Sequence, residues 1–293
     1  MKSIFRKIII SKLEFLAKLV LKKYRPKIVA ITGSVGKTST KDAVYAVLST
    51  KFFVRKSEKS FNSEIGVPLT ILGIPNAWDD PLMWARNILK SIWLVIWPHD
   101  YPKWLVIEAG VGKPGDMARF AKYLHSDAVI FTAFSKTPVH VEFFQSTNEV
   151  LEEKALLFKT LKKKGFAILN ADSEELMELK DELNNSEGKK HIKNHIYTFG
   201  FNENSTLVAR NDVLEYENRF PTGISCTIDN HAEEYTLKLD GVFGRNHIYA
   251  ALAALALAHQ LDIPSKDAVR ALREYDAPPG RMKPVHGISS SLI

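Results

Sequence analysis

Residues 27–40, KIVAITGSVGKTST, limit the possible folds more than any other part of the sequence. Their β-branched beginning predicts a buried strand of a parallel sheet, followed at once by a glycine-bounded turn and the start of a helix. Gly33 and Gly36 allow the backbone to curl so that several N–H groups converge on one anion. Lys37 would then reach the phosphates of a nucleotide, and the Thr38 hydroxyl would bind its Mg2+. The segment therefore predicts a phosphate-binding loop within an α/β fold.

The residues predicted to bind the nucleotide phosphates lie in this loop and in the helical turn after it, where a helix is expected from about Ser39. They are Gly33, Ser34, Gly36, Lys37, Thr38 and Ser39. The segment departs from the common pattern G-x-x-x-x-G-K-[ST] at one position, because Ile31 occupies the place of the first glycine. The spacing of Gly, Lys and Thr directly after a β-run still favours phosphate binding over an ordinary strand-turn-helix corner.

A second apolar run, WLVIEA at residues 104–109, predicts another buried strand and carries Glu108 to its C-terminal end. Ligands of open α/β sheets bind at the carboxyl ends of the strands, so we expect Glu108 beside the phosphate loop. A carboxylate in that place can bind Mg2+ directly or through water.

The rest of the chain predicts the fold class. Strands alternate with helices up to about residue 195, which indicates a mostly parallel sheet with right-handed crossovers and flanking helices. From about Ile196, short alternating runs separated by Asn, Asp, Pro and Gly predict a small antiparallel strand region near residues 196–240. We expect an α/β protein in two parts, a helix at residues 1–26 and one nucleotide-binding domain at 27–293.

The net charge of +7 is concentrated at the N-terminus. Residues 1–27 contain nine Lys or Arg and one acid, Glu14, whereas the rest of the chain has 31 basic and 32 acidic residues. No nucleic-acid partner is expected, because the body is almost neutral. Apolar residues recur at helical spacing between the lysines and predict a basic amphipathic helix over 1–26. This helix either lies on an anionic membrane surface or packs its apolar stripe on the domain.

Residues 76–103 are unusually aromatic. Four tryptophans lie among their apolar residues together with Arg86 and Lys90: Trp78, Trp84, Trp93 and Trp97. Such a segment suits a second membrane-facing patch or, more often, a helix packed on its own domain. The single Cys226 excludes an intrachain disulfide and fits a reducing compartment.

With these segments in view, the chain resembles the Mur ligases, the ATP-dependent amide ligases of peptidoglycan precursor synthesis. The resemblance rests on eight spaced blocks: TGSVGKTSTK (32–41), FNSEIGVPLT (61–70), VIEAG (106–110), VHVEFF (139–144), EEKALLF (152–158), ILNAD (168–172), GRNHIYAALAALA (244–256) and PPGRM (278–282). Their order and spacing together are specific. EIGVPLT favours the branch of the family that adds D-alanyl-D-alanine over folylpolyglutamate synthetases.

The resemblance implies a metal and catalytic group. Lys37 and Thr38 match the phosphate and Mg2+ residues of the family, and Glu108 and His140 match residues of its metal site. Lys154 matches a lysine that is carbamylated, which turns an amine into a carboxylate-like ligand for a second Mg2+. Lys37, His140 and Lys154 are the implied catalytic residues.

The resemblance also implies substrate and adenine contacts. Asn62 and Glu64 belong to a loop that faces the nucleotide and the acyl substrate. Asn246 and His247 stand in the adenine-binding motif, where the family usually has His-Asn in that order, and Arg281 matches an arginine directed at the nucleotide.

The implied reaction joins D-alanyl-D-alanine to a UDP-muramoyl peptide, which is a tripeptide. It proceeds through an acyl phosphate and uses ATP and Mg2+ as cofactors. A cytoplasmic monomer is expected. Whether residues 1–26 also contact the inner face of the membrane peripherally is left open. Residues 27–293 would be the central ATP-binding domain, without the family's UDP-binding and C-terminal ligase domains, and inactive alone. Two alternatives stay open: a related ligase with another acyl substrate, of the cyanophycin or polyglutamate type, and a membrane-associated nucleotide-binding module without ligase activity.

Overall fold

The computed structural model describes residues 3–58, 61–134, 143–144, 146–185 and 195–275, which form one nine-stranded sheet covered by helices. The strands are β1 Lys27–Thr32, β2 Val54–Lys56, β3 Trp104–Glu108, β4 Ser126–Phe131, β5 Leu161–Asn170, β6 Ile196–Gly200, β7 Leu207–Glu217, β8 Phe220–Asp229 and β9 Glu234–Asp240. The helices are α1 Ser3–Tyr24, α2 Lys37–Ser49, α3 Gly66–Leu72, α4 Pro81–Ile96, α5 Asp116–Ala121, α6 Thr147–Ala155, α7 Glu174–Asn185, α8 Arg245–Gln260 and α9 Ser265–Arg273, with a 3-10 helix at Leu156–Thr160.

The strand order is β2-β3-β1-β4-β5-β6-β7-β8-β9. All pairs from β2 to β7 are parallel, and β7–β8 and β8–β9 are antiparallel. The predicted α/β class, with a mostly parallel sheet and a small antiparallel region, is confirmed. One detail was wrong, because β6 belongs to the parallel part. The α7 crossover separates β5 from β6, so β6 enters the sheet in the same direction as β5.

Strand β1 lies where the order of the sheet changes direction. The chain passes from β1 to β2 and β3 on one side and then returns to β4 on the other. The parallel register pairs Ile31 with Glu108 and Thr32 with Phe131, so three strands end at one edge. Ligands of open α/β sheets bind in the crevice at such a point.

The core has one layer on each face of the sheet, because alternate residues of a strand point to opposite faces. Val29 and Ile31 pack in the layer that contains α2, α8 and α9. Ile28 and Ala30 pack in the other layer, which contains α1, α3 and α5. Residues of β1 are buried from Ile28 onward, which explains the continuous apolar run of this central strand.

Helix α1 packs its apolar stripe on the domain. The buried residues of this stripe are Ile9, Ile10, Leu13, Leu16, Ala17 and Val20. The structure therefore shows the packed arrangement for that side of the helix, whereas membrane contact by its other side stays a prediction. None of the described helices is both long enough and apolar enough to cross a bilayer.

Helices α1 and α4 are tied together at their C-terminal ends. The Lys23 ammonium donates to the carbonyl oxygens of Leu94, Val95 and Trp97 at 3.1, 2.9 and 2.5 Å, and the Tyr24 hydroxyl donates to Leu94 O at 2.9 Å. The last carbonyl groups of a helix have no partners within it, so Lys23 supplies both hydrogen bonds and a favourable charge.

Candidate nucleotide and acyl-substrate site

The loop after β1 has the backbone of a phosphate cradle. Gly33 and Gly36 have φ angles of 146° and 84°, in the region that favours glycine. A Cβ on Gly33 would lie 2.1 Å from Thr132 Oγ1, so the loop packs directly against the end of β4. Helix α2 begins at Lys37, two residues before the predicted start, and its N-terminus therefore lies directly after Gly36. The loop and helix together present N–H groups and a positive helix end to one place.

Lys37 folds back over this loop. Its ammonium donates to Gly33 O at 2.9 Å and to Ser34 O at 3.2 Å. Both carbonyl groups belong to the cradle, so the charge lies where bound phosphates would meet it.

Glu108 lies beside the loop, as its place at the end of β3 predicted. Its side chain is only 1% exposed. One carboxylate oxygen accepts from the Thr38 hydroxyl at 3.1 Å, and the other accepts from the Asn62 amide at 2.9 Å. The Glu108 backbone N–H donates to Ser57 Oγ at 3.2 Å. Three separate segments thus hold one buried carboxylate next to the first turn of α2.

Lys154 reaches the same loop from α6. Its ammonium is 3.2 Å from Ser34 Oγ and 4.8 Å from the ring centre of Phe134, and the residue is 6% exposed. Burial and, to a smaller extent, the neighbouring charge of Lys37 lower the pKa of Lys154 to about 8. This amine is therefore much closer to neutrality at physiological pH than an ordinary lysine.

A cavity of about 550 Å³ lies between the phosphate loop and Lys154. Its walls include Gly33, Ser34, Lys37, Asn62, Glu64, Gly110, Lys154 and Arg6. The first seven come from the phosphate loop, the loop before α3, the turn after β3 and α6, whereas Arg6 comes from α1.

Glu64 is the centre of a charged cluster at this cavity. Its carboxylate lies 3.0 Å from Arg6 Nη2 and 3.1 Å from Arg119 Nη1, and Lys113 Nζ lies 3.9 Å away. Arg119 also pairs with Glu14 of α1. Sequence reasoning missed the three cations, because each is an ordinary surface residue in its own segment. The docking of α1 brings Arg6 to Glu64, and the turn after β3 and α5 bring Lys113 and Arg119.

Two predicted site residues, Asn246 and His247, lie elsewhere, and two more are not described. His140 and Arg281 fall outside the described residues. His247 is buried, with Nδ1 2.5 Å from the Tyr275 hydroxyl, and Asn246 is exposed at the first turn of α8. Neither lines the cavity of about 550 Å³, and adenine binding by these residues stays a prediction.

The donor atoms near the loop fit a hard cation. The Thr38 hydroxyl and the Glu108 carboxylate are oxygen donors of the kind that Mg2+ prefers. Within the described ranges, no group of three or more His, Cys, Asp or Glu side chains converges on one point. Among the described residues, Glu108 is the carboxylate that is hydrogen-bonded to the Thr38 hydroxyl at the start of α2.

Comparisons with known proteins agree with this geometry. The family model described as "Mur ligase middle domain" matches residues 31–83 and 94–258. The chain is 25% identical over 260 residues to the UDP-N-acetylmuramoyl-tripeptide--D-alanyl-D-alanine ligase of Bacillus subtilis, covering 89% of this chain and 47% of that protein. It is 26% identical over 287 residues to the enzyme of that name from Escherichia coli, covering 95% and 53%. The chain thus spans about half the length of these curated relatives.

Solved structures show the same fold. MurF from Acinetobacter baumannii superposes with a TM-score of 0.73 at 18% identity, covering 96% of this chain and 53% of that one. MurF ligase from Thermotoga maritima, solved in complex with ADP, superposes with a TM-score of 0.71 at 23% identity, covering 94% and 54%.

Proposed function

Because the chain belongs to the Mur ligase middle-domain family, we propose that it is the ATP-binding catalytic part of an amide ligase. The family resemblance predicted from the sequence is thereby confirmed. The proposed reaction joins D-alanyl-D-alanine to a UDP-muramoyl tripeptide, the activity named in the relatives. One observation carries the proposal: the phosphate loop and Lys154 line one cavity at the edge where β1, β3 and β4 end, and the buried Glu108 is hydrogen-bonded to Asn62 of its wall.

The nucleotide would bind with its phosphates in the loop after β1. The N-terminus of α2 and the Lys37 ammonium face the phosphate position, and both favour negative charge. Asn246, His247 and Arg281 remain the proposed contacts to the rest of the nucleotide, on the strength of the family motif. ATP is the proposed cofactor.

Mg2+ would be held by the Thr38 hydroxyl and the Glu108 carboxylate, with His140 and a carbamylated Lys154 proposed for a second ion. Bound there, the ions would neutralise charge on the phosphates. The Thr38–Glu108 hydrogen bond already holds both ligands at one place. The Asn62 amide orients the second carboxylate oxygen, so rotation of Glu108 is restricted from both sides.

The chain's own residues would act by positioning and charge. A carboxylate is a poor acyl donor, so its oxygen would attack the γ-phosphorus of ATP, and ADP would leave. The amine would then attack the acyl carbon and expel phosphate. Lys37 would hold the phosphoryl group during its transfer, because that group carries negative charge throughout. No protein nucleophile is required.

The acyl substrate would occupy the part of the cavity that the loop before α3 lines. Asn62 and Glu64 line that part, and Arg6 and Lys113 add two cations. UDP-muramoyl peptides carry phosphates and carboxylates, so cations at the cavity wall fit such a substrate. We expect the protein to work as a monomer on the cytoplasmic side.

Purified chain, ATP, Mg2+, UDP-muramoyl tripeptide and D-alanyl-D-alanine test the proposal directly. The chain alone is expected to bind ATP and to form no amide product. Supplemented with the UDP-binding and C-terminal domains of a family relative, it should release ADP in dependence on the acyl substrate, and mass spectrometry should show the amide product. A glutamyl acyl substrate with L-glutamate, in place of the muramoyl tripeptide and D-alanyl-D-alanine, tests the polyglutamate alternative, and aspartate polymer with arginine tests the cyanophycin alternative. Nucleotide binding without ADP release in any mixture would support the module without ligase activity. Amide product in the L-glutamate mixture, and none in the mixture with D-alanyl-D-alanine, would contradict the proposed substrate.

Lys154 is expected to form a carbamate. Only the neutral amine adds to CO2, and its pKa of about 8 makes a substantial neutral fraction available near neutral pH. The carbamate would be negative and would lie near Lys37, whose charge stabilises it. Labelling with 13C bicarbonate should give one protected carbamate signal in NMR that Lys154→Met abolishes. At a fixed CO2 concentration, the signal should grow as the pH rises through 8.

The matched control for this experiment is Lys159→Met, which removes an exposed lysine from the adjacent 3-10 helix. That variant should keep the signal. An equal signal in Lys154→Met, with the wild-type fold retained, would contradict the assignment.

A further inference from the structure

Helix α4 has two unlike faces, and only one of them packs on the domain. Trp84, Asn87 and Ser91 are buried. On the opposite side, Leu82, Leu89, Trp93 and Ile96 are 83%, 67%, 51% and 59% exposed. Spacings of seven, four and three residues place these four side chains on one stripe of the helix. Packing on the domain therefore explains one face of the helix and leaves an exposed apolar stripe on the other.

Helix α1 extends this exposed surface. Lys23 and Tyr24 hold its end to the end of α4, so the two helices form one unit. Ile8 and Phe15 are 48% and 62% exposed, on the side of α1 away from its buried stripe. We call the exposed sides of these two helices the α1/α4 face.

The charges of the α1/α4 face are mainly positive, with Asp79 and the N-cap residue Asp80 at the start of α4 as exposed acids. Its exposed cations are Lys7, Lys12, Lys18 and Lys22 on α1 and Arg86 and Lys90 on α4, whereas Lys23 is hydrogen-bonded to the last carbonyl groups of α4. Helix α4 contains no acidic residue, and Glu14, the one acid of α1, pairs with Arg119 towards the cavity. Near the C-terminus of α4, the rings of Trp93 and Trp97 stack with centres 4.1 Å apart. Exposed tryptophan and leucine bordered by lysines are the composition of helices that lie in the interface of an anionic membrane.

We propose that the α1/α4 face docks on a bilayer of anionic phospholipids. The apolar stripe would enter the boundary between headgroups and acyl chains, and the lysines would contact the lipid phosphates. A second copy of the chain fits this face poorly, because a symmetric contact would place the same cations opposite one another. The proposal does not depend on the reaction that the cavity catalyses. Docking would also hold the cavity close to the membrane surface, because Arg6 of α1 lines that cavity.

Vesicle co-sedimentation of the full 293-residue chain tests the proposal. Phosphatidylcholine vesicles with phosphatidylglycerol should bind the chain, pure phosphatidylcholine should bind it weakly, and salt should reduce binding. Leu89→Ser combined with Trp93→Ser should lower partitioning about tenfold or more, because both side chains leave the bilayer. Lys12→Glu combined with Lys22→Glu should lower it about as much. All four residues are exposed, so the fold should be kept.

The matched control is Tyr216→Ser combined with Phe220→Ser. These side chains are 61% and 52% exposed on β7 and β8, remote in sequence from the α1/α4 face and beside Glu215 and Glu217. The control should bind vesicles like the wild type. Brominated lipid should quench the fluorescence of the wild type more than that of the Leu89→Ser, Trp93→Ser variant.

Three outcomes would overturn the proposal. The first is equal vesicle binding by the wild type and both α1/α4 variants, and the second is no binding to anionic vesicles at low salt. The third is a dimer in light scattering that Leu89→Ser with Trp93→Ser dissociates while vesicles bind nothing. In that case the face is an interface between copies.

Discussion

Replacing Lys37 by alanine is expected to weaken Mg-ATP binding by about 100-fold or more, which corresponds to about 3 kcal/mol. The reason is the place of its ammonium, which lies 2.9 and 3.2 Å from two carbonyl oxygens of the cradle itself. Bound phosphates would replace carbonyl groups as its partners, and hydrogen bonds between ionised groups are stronger than those to neutral acceptors. Isothermal calorimetry with ATP and a non-hydrolysable analogue measures the loss.

The fold should survive this substitution, because Lys37 is only half-buried at the start of α2 and alanine favours helices. Lys51→Ala is the matched control. Lys51 follows the other end of α2 and donates to Asp262 O at 3.0 Å, far from the loop along the helix. The control should bind ATP like the wild type. Unchanged ATP affinity in a folded Lys37→Ala protein would show that the loop does not hold the phosphates.

Replacing Glu108 by glutamine should lower turnover, in the assay supplemented with the UDP-binding and C-terminal domains of a family relative, by about 100- to 1,000-fold without unfolding the domain. Glutamine has the same shape and keeps both hydrogen bonds. Its oxygen can accept from Asn62, and its amide can donate to the Thr38 hydroxyl, which now accepts. Only the negative charge is removed, so the variant isolates the electrostatic role of this carboxylate.

Measuring ATP binding with and without Mg2+ separates a metal-binding role of Glu108 from a structural role. With Mg2+, ATP should bind the Glu108→Gln variant more weakly than the wild type, because one oxygen ligand has lost its charge. Without Mg2+, ATP should bind as well or better, because a carboxylate no longer lies near the phosphates. A structural role alone would weaken both equally, and that result would contradict the metal assignment.

Asp127→Asn is the matched control for this experiment. Asp127 is a carboxylate of the same sheet at the opposite edge, where it accepts from the Ile28 N–H at 2.9 Å and pairs with Lys162 at 2.7 Å. Its replacement should reduce stability and leave the Mg2+ dependence of ATP binding unchanged.

The phosphate loop could be predicted from the sequence, because its determinants are local. Gly33 and Gly36 have the positive φ angles for which glycine is needed, and the β-branched run before them forms the buried strand β1. The position of Glu108 was also predictable, because parallel strands of one sheet end at one edge. The hydrogen bonds to Thr38 and Asn62 were not, since they depend on side-chain orientation.

Tertiary structure alone decided what each amphipathic helix covers. The spacing of apolar residues in α1 and α4 shows that stripes exist, but the same spacing suits a protein core and a membrane surface. Docking buried one stripe of α1 and left Leu89 and Trp93 of α4 exposed. The same docking brought Arg6 to Glu64, although the two residues are far apart in sequence. Local propensity is set by neighbours along the chain, whereas these contacts depend on which elements meet after the sheet has formed.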